Sequence, residues 1–258
     1  HGDTAYTPYS TGTWGSRCAV MAGGAVSSAC KELAKRVLQI GAHLLQADLR
    51  EVELLRGEVR SSSGSVAIKD IARTWYHAPQ DLPPELASRA MELTEGYRPE
   101  PDSGTFSYAA HGCVVAVDPD IGDVEILDYV IVEDGGVLIN PMVVDGQVLG
   151  GTAQGIGTAL FEEMPYDAYG QPMANTLAEY LLPSACEMPN VRIFHMETPS
   201  PFSAFGQKGL GEGGAIGPPA AIVNAINDAF KDTDLAVDRL PISPTRLFEL
   251  INKAKLKS

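Results

Sequence analysis

The chain has 258 residues, enough for one large domain or two of ordinary size and for a sizeable buried core. Hydrophobic residues make up 45% and charged residues 20%, which excludes the disordered and collagen-like classes. Thirty-three acids against nineteen bases give a formal charge of -14, and with no segregated basic patch this excludes nucleic acid and anionic membrane as partners.

The opening, "HGDTAYTPYSTGTWGSR", is rich in Gly, Ser and Thr and reads as the inside of a domain rather than a beginning. Apolar residues then recur at helical spacing from Val20 to Leu45, which predicts a long helix with a small-residue first half. "EVELLRGEVRSS" predicts a short hairpin turning at Arg56-Gly57, and "SVAIKDIARTWY" a strand end leading into a short helix. The Pro-rich joint "HAPQDLPPEL" introduces a predicted helix over Glu85 to Gly96, and "YRPEPDSGT" makes a loop that divides residues 1–98 from 99–258. From Phe106 the texture turns to β, with "FSYAAHGCVVAVDP" and "GDVEILDYVIVEDGG" forming an antiparallel hairpin about Asp118 to Asp123. "VDGQVLGGTAQGIGTALFEEM" has a helical pattern thinned by small residues, as expected of close packing. "NVRIFHMET" is a strand, "PPAAIVNAINDAF" a helix with proline in its first turn, and "SPTRLFELI" a last helix capped by Ser243 with Pro244 at its first position.

The four cysteines, Cys18, Cys30, Cys113 and Cys186, show no C-x-x-C spacing and no paired histidines nearby. Neither a zinc site nor a disulfide framework is expected, and free thiols suit a cytoplasmic setting, with the periplasm left open. No apolar run approaches the ~18 residues of a membrane-spanning helix.

One stretch, "GQKGLGEGGAIGPPAAIVNAINDAF", sets a single carboxylate, Glu212, among glycines ahead of a helix. Gly209, Gly211 and Gly214 spell G-x-G-x-x-G, the pattern of a nicotinamide-dinucleotide turn, but that motif needs a strand running into its first glycine and here "TPSPFSAFGQK" precedes it. A second reading makes the glycines a tight helix entry and Glu212 a solvated acid favoured by the helix dipole. A third lets the backbone approach a bulky cofactor while Glu212 projects as a positioned base. The residues of this stretch alone leave the three open.

Four stretches carry a resemblance. "GDTAYTPYSTGTWGSR", "EDGGVLINP", "VVDGQVLGGTAQGIGTALFEEM" and "QKGLGEGGAIGPPAAIVNAINDA" together resemble, in order, the C-terminal half of the molybdenum-cofactor-binding subunits of the xanthine dehydrogenase, aldehyde oxidase and aerobic carbon monoxide dehydrogenase group. "PISPTRLFELI" is similar to that family's closing helix. The resemblance implies an α+β fold of mixed sheets with packed helices in two intertwined subdomains. It implies that Glu212 is the base beside molybdenum, in the oxidative hydroxylation of an aldehyde or N-heteroaromatic substrate with water as the oxygen source. Gln147 matches the glutamine that hydrogen-bonds near the pterin, and Gly211 belongs to the glycine-flanked glutamate motif. "GTWGSRC" matches the small-residue loop around the cofactor phosphate, which implicates Thr13, Gly15, Ser16, Arg17 and Cys18, with Cys18 standing where a serine is expected. His43, His77, His111 and His195 match no functional position of the family.

The implied cofactor is a molybdopterin-type molybdenum cofactor, in the cytosine dinucleotide form or another, held without protein metal ligands. Partner chains are expected to carry [2Fe-2S] clusters and FAD, and an N-terminal portion of the molybdenum subunit is expected to complete the site. The chain is therefore read as a fragment or one piece of a split subunit, inactive alone. A non-catalytic assembly module built on the same fold is the competing class, and metal analysis of the assembled complex separates the two.

Overall fold

A computed structural model describes residues 2–99 and 105–255. The fold is α+β, and the chain divides into two compact units, one of His1–Gly12 with Met21–Asp102 and one of Thr13–Val20 with Ser103–Ser258. No helix among the described residues is long and apolar enough to cross a membrane.

In the first unit the long helix α1 (Cys18–Leu45) supplies Val37 and Ile40 to a core shared with Val59, Ile71 and Leu82. Its residues 18–20 count with the second unit. Gly41 lets the helix backbone lie on the sheet, because a Cβ there would stand 2.7 Å from the Val59 side chain. The sheet is β1 (Glu53–Leu55), β2 (Glu58–Ser61) and β3 (Gly64–Ala67), antiparallel and in sequence order. The turn at Arg56-Gly57 has positive φ at both residues, 52° and 82°, the signature of a two-residue hairpin loop. Then come α2 (Ile68–His77) and the short α3 (Pro84–Ala87).

The helix predicted over Glu85 to Gly96 stops at Ala87. Beyond it the Arg36 guanidinium takes the Ala90 carbonyl, Arg89 bonds the Gln39 side chain at 3.3 Å, and Met91 packs on the core. These contacts to α1 replace the intrahelical bonds that propensity favoured. The loop expected over "YRPEPDSGT" falls partly on residues 100–104, outside the described residues.

The second unit is built on β4 (Tyr108–Asp118), β5 (Asp123–Asp134) and β6 (Val191–Met196), in the order β4-β5-β6. The predicted hairpin is β4 with β5, antiparallel, while β6 adds in parallel to β5. Against this sheet lie α4 (Pro141–Leu160) and α5 (Gly213–Ala229), and α6 (Pro244–Lys255) closes the chain with Ser243 at its start. Ile156, Ile222, Ile226, Ile242 and Leu247 form the largest core, all at most 2% exposed.

The helix α5 begins at Gly213, earlier than the proline-led start predicted at Pro218, so Pro218 and Pro219 sit inside it. A proline there removes a bond to the carbonyl four residues back. The carbonyl so released, on Gly214, lies 3.5 Å from the Thr152 hydroxyl, which also donates to the Val148 carbonyl at 2.8 Å. Gly151 and Gly155 of α4 make room for this crossing: a Cβ on Gly151 would stand 3.0 Å from the Ala215 nitrogen, and one on Gly155 would meet Pro218 Cγ at 2.6 Å and the Ala215 carbonyl at 2.9 Å. Gly155→Ala is therefore expected to destabilise the fold by about 1–3 kcal/mol through overpacking. Gly150→Ala, at a helical position with open space around it, should stabilise by about 1 kcal/mol, and urea unfolding of both variants checks the contrast.

Candidate cofactor site

Three segments far apart in sequence meet in the second unit. The first, just ahead of α1, has positive φ at two successive residues, Gly15 (58°) and Ser16 (56°). A serine seldom takes that conformation, and here its side chain is held from both sides. The Glu212 N–H donates to Ser16 Oγ at 2.8 Å, and Ser16 Oγ donates in turn to Glu212 Oε2 at 2.8 Å. This reciprocal pair ties the start of α1 to the start of α5 across 196 residues.

The glycines around Glu212 now have individual reasons. A Cβ on Gly209 would strike the Ser16 carbonyl, one on Gly214 the Val148 carbonyl, and one on Gly217 the His111 ring. Gly211 is looser, 3.4 Å from Ser16 Oγ. What Gly209, Gly214 and Gly217 admit so closely is the chain itself, rather than the bulky ligand their spacing suggested. No strand leads into Gly209: residues 197–212 form a loop with isolated bridges from Gln207 to Gly136 and from Gly209 to Phe106. The strand that a dinucleotide turn requires is missing there.

Gln147 comes from the second segment. It lies within α4, and its Nε2 donates to the Gly211 carbonyl at 2.8 Å. Between these segments is a cavity of about 330 Å³. Thr13, Ser16, Cys18, Gln147 and Gly211 line it; Gly15, Arg17 and Glu212 are not among its lining residues, although Glu212 adjoins it through Ser16 and Gly211. Arg17 stacks on the Trp14 ring at 4.2 Å. Glu212 is exposed in this chain, and so is the Cys18 thiol.

Residues that sequence reasoning passed over form the cavity's other wall. Gln207, 2% exposed, donates to the Ala19 carbonyl at 3.0 Å and accepts from the Phe205 N–H at 3.0 Å, so it fixes the first turn of α1. Lys208 is buried against Asp134 at 3.0 Å and lies 4.7 Å from the Tyr108 ring centroid. Asp134, fully buried, also accepts from Tyr108 OH and from the N–H groups of Gly136 and Thr198. Burial alone would raise its pKa, and these donors hold it well below the ordinary carboxylate range. The available signal was the acid-glycine run "EDGG" and the distant "GQK", whose members reveal their pairing only in three dimensions.

Residues 1–189 match the family model described as the molybdopterin cofactor-binding domain. The chain belongs to this family. It is 37% identical, over 99% of its own length and 32% of the relative's, to the gamma subunit of the 6-hydroxypseudooxynicotine dehydrogenase complex of Paenarthrobacter nicotinovorans. It is 31% identical to the carbon monoxide dehydrogenase large chain of Hydrogenophaga pseudoflava, over 99% of this chain and 31% of that one. Among solved structures, quinoline 2-oxidoreductase from Pseudomonas putida 86 superposes with a TM-score of 0.83 at 34% identity, over 97% of this chain and 32% of that one. The chain thus spans about a third of the length of these relatives.

The residues present fit a molybdopterin cofactor-binding domain. The first turn of α1 contains no acid, so its positive pole is not offset from within the helix and suits an anion such as a cofactor phosphate. Thr13 adds a hydroxyl, and Asn140 and Gln147 line the same cavity with amides suited to a polar heterocycle. No group of three or more His, Cys, Asp or Glu among the described residues is placed to hold a metal ion.

Proposed function

We propose that this chain is the C-terminal part of a molybdenum hydroxylase large subunit, acting with a further portion of that subunit, an iron-sulfur chain and a flavin chain on an aldehyde or N-heteroaromatic substrate. Residues 1–98 carry the phosphate loop, and residues 99–258 carry Gln147 and Glu212. One observation carries the reading: the Ser16–Glu212 and Gln147–Gly211 hydrogen bonds, which draw the three segments to a common cavity.

When bound, the molybdenum cofactor supplies a two-electron oxidant and Lewis acidity toward water. The chain contributes proton handling and orientation. The Ser16 hydroxyl engages Glu212 Oε2, so Oε1 is the free acceptor for a proton from the attacking water. The Ser16 bond and the backbone bond from Glu212 N–H to Ser16 fix the carboxylate's direction from both ends. Gln147 spends one N–H on the Gly211 carbonyl and keeps its remaining N–H and its carbonyl for the cofactor edge. The cytosine dinucleotide form of the cofactor is part of this proposal, as is the water-derived oxygen.

Purification of the assembled complex tests it. Molybdenum should be present at about one per chain, with a pterin and a cytidine nucleotide released on acid treatment. Gln147→Ala should lower molybdenum retention about tenfold, the scale at which a supporting ligand contact acts. An intact, metal-free complex would instead identify a non-catalytic assembly module.

A further inference from the structure

A second cavity, of about 300 Å³, lies behind the first, with Leu210 lining both. Its floor is the face of the β4–β5 hairpin on which Ala109 pairs with Glu133 and His111 with Ile131. The first turns of α5 cover it through Gly214, Ile216 and Gly217. The walls are apolar, yet two buried polar atoms there have no hydrogen-bond partner, Glu133 Oε2 and His111 Nε2. Glu133 is 3% exposed, so this oxygen is cut off from water, an arrangement that destabilises the chain unless a donor arrives.

Charge balance points to the kind of donor. Glu133 Oε1 contacts His195 Nδ1 at 2.5 Å, and His195 Nε2 contacts Asp145 Oδ1 at 2.8 Å. Asp134 next door takes Lys208. Three carboxylates thus share two cations, even with His195 protonated. Burial would lower the His195 pKa, but the flanking Asp145 and Glu133 raise it, while burial raises that of Glu133 itself against the opposing pull of His195. His111, bonded through Nδ1 to Tyr129 OH at 3.1 Å, has its pKa lowered by burial and stays neutral, so in the matching tautomer its buried Nε2 is an acceptor without a partner.

We propose that this cavity is a socket for an arginine or lysine side chain carried by the part of the large subunit outside this chain, donating to Glu133 Oε2 and His111 Nε2. Curated relatives are about three times as long as this chain, so polypeptide is available to fill it. Exposed Tyr108 and Ile216 at the cavity, with Phe106 just before β4, give that polypeptide an apolar surface to cover. The inference rests on the reading of the chain as one portion of a molybdenum subunit.

The test is assembly of the full chain with the polypeptide that completes the subunit. Ala109→Lys, at an exposed position directly across from Glu133, places a competing cation in the socket without disturbing the core. It should weaken the complex about thirtyfold or more while the chain's melting temperature holds or rises, and Glu133→Gln should weaken it comparably. A structure of the wild-type complex should put an arginine or lysine nitrogen within hydrogen-bond reach of Glu133 Oε2. Wild-type affinity in both variants would overturn the socket, as would a complex in which free guanidinium added as a probe occupies the site. A tight, molybdenum-loaded complex with Glu133 unpaired removes the socket alone; failure of the two polypeptides to associate removes the subunit reading with it.

Discussion

Glu212→Gln is expected to leave cofactor content near normal and to cut turnover about 10²- to 10⁴-fold, the range supplied by a positioned general base. Glutamine keeps the size of the side chain and can still accept from the Ser16 hydroxyl through its oxygen, so the loop and the Glu212 N–H bond to Ser16 survive. What it loses is the ability to take a proton. kcat should therefore fall with little change in KM, since the amide still occupies the same space. Metal analysis and steady-state kinetics on the same sample separate this from a loading defect. Wild-type turnover at full molybdenum occupancy would remove Glu212 from the chemistry.

Lys208→Met is expected to produce the largest loss of stability, about 3–5 kcal/mol, because it strands Asp134 as an unpaired charge with no access to solvent. Three donors remain on that carboxylate, from Tyr108, Gly136 and Thr198, but none carries a compensating charge. The pH dependence gives the sign. The folded-state pKa of Asp134 is depressed, so its contribution is present above the ordinary aspartate value near ~3.9 and disappears as pH falls toward the folded value. The gap between wild type and variant should therefore be widest at neutral pH and narrow in acid. Urea midpoints measured from pH 7 downward check this, and a gap that widens in acid would mean that the pair does not act through Asp134 ionisation.

Much of the fold could be read from periodicity, because the elements concerned are long and locally consistent. The α1 pattern, the Arg56-Gly57 turn, the β4–β5 hairpin and the Ser243-Pro244 helix start all follow from residues within a turn or two of one another. Errors arose where distant residues outvote local ones. The segment after Ala87 abandons helix because Arg36 and Gln39, on α1, offer it partners. The early start of α5 depends on Thr152 and on the small residues of α4, which no window around Pro218 contains.

The site divides in the same way. Glu212, Gln147 and the loop from Thr13 to Cys18 stood out by motif and resemblance, and Ser16, Gln147, Gly211 and Glu212 are joined by hydrogen bonds. Gln207 and Lys208 did not stand out, because a buried glutamine or lysine is recognisable only once its partners, Ala19 and Asp134, are known. The G-x-G-x-x-G spacing pointed elsewhere for an equally physical reason: glycine records that something comes close, without recording what.

The two prolines inside α5 have a consequence for the order of assembly. With Pro218 and Pro219 unable to donate and glycines at 213, 214 and 217, the first turns of this helix have little cohesion of their own. They are shaped by the neighbour that crosses them, α4, through Thr152 and Gly155. A nascent chain that has made residues 206–230 but not yet brought α4 alongside would leave these turns without a fixed path. Their shape is acquired at docking, so this end of the helix cannot form ahead of the neighbour it crosses.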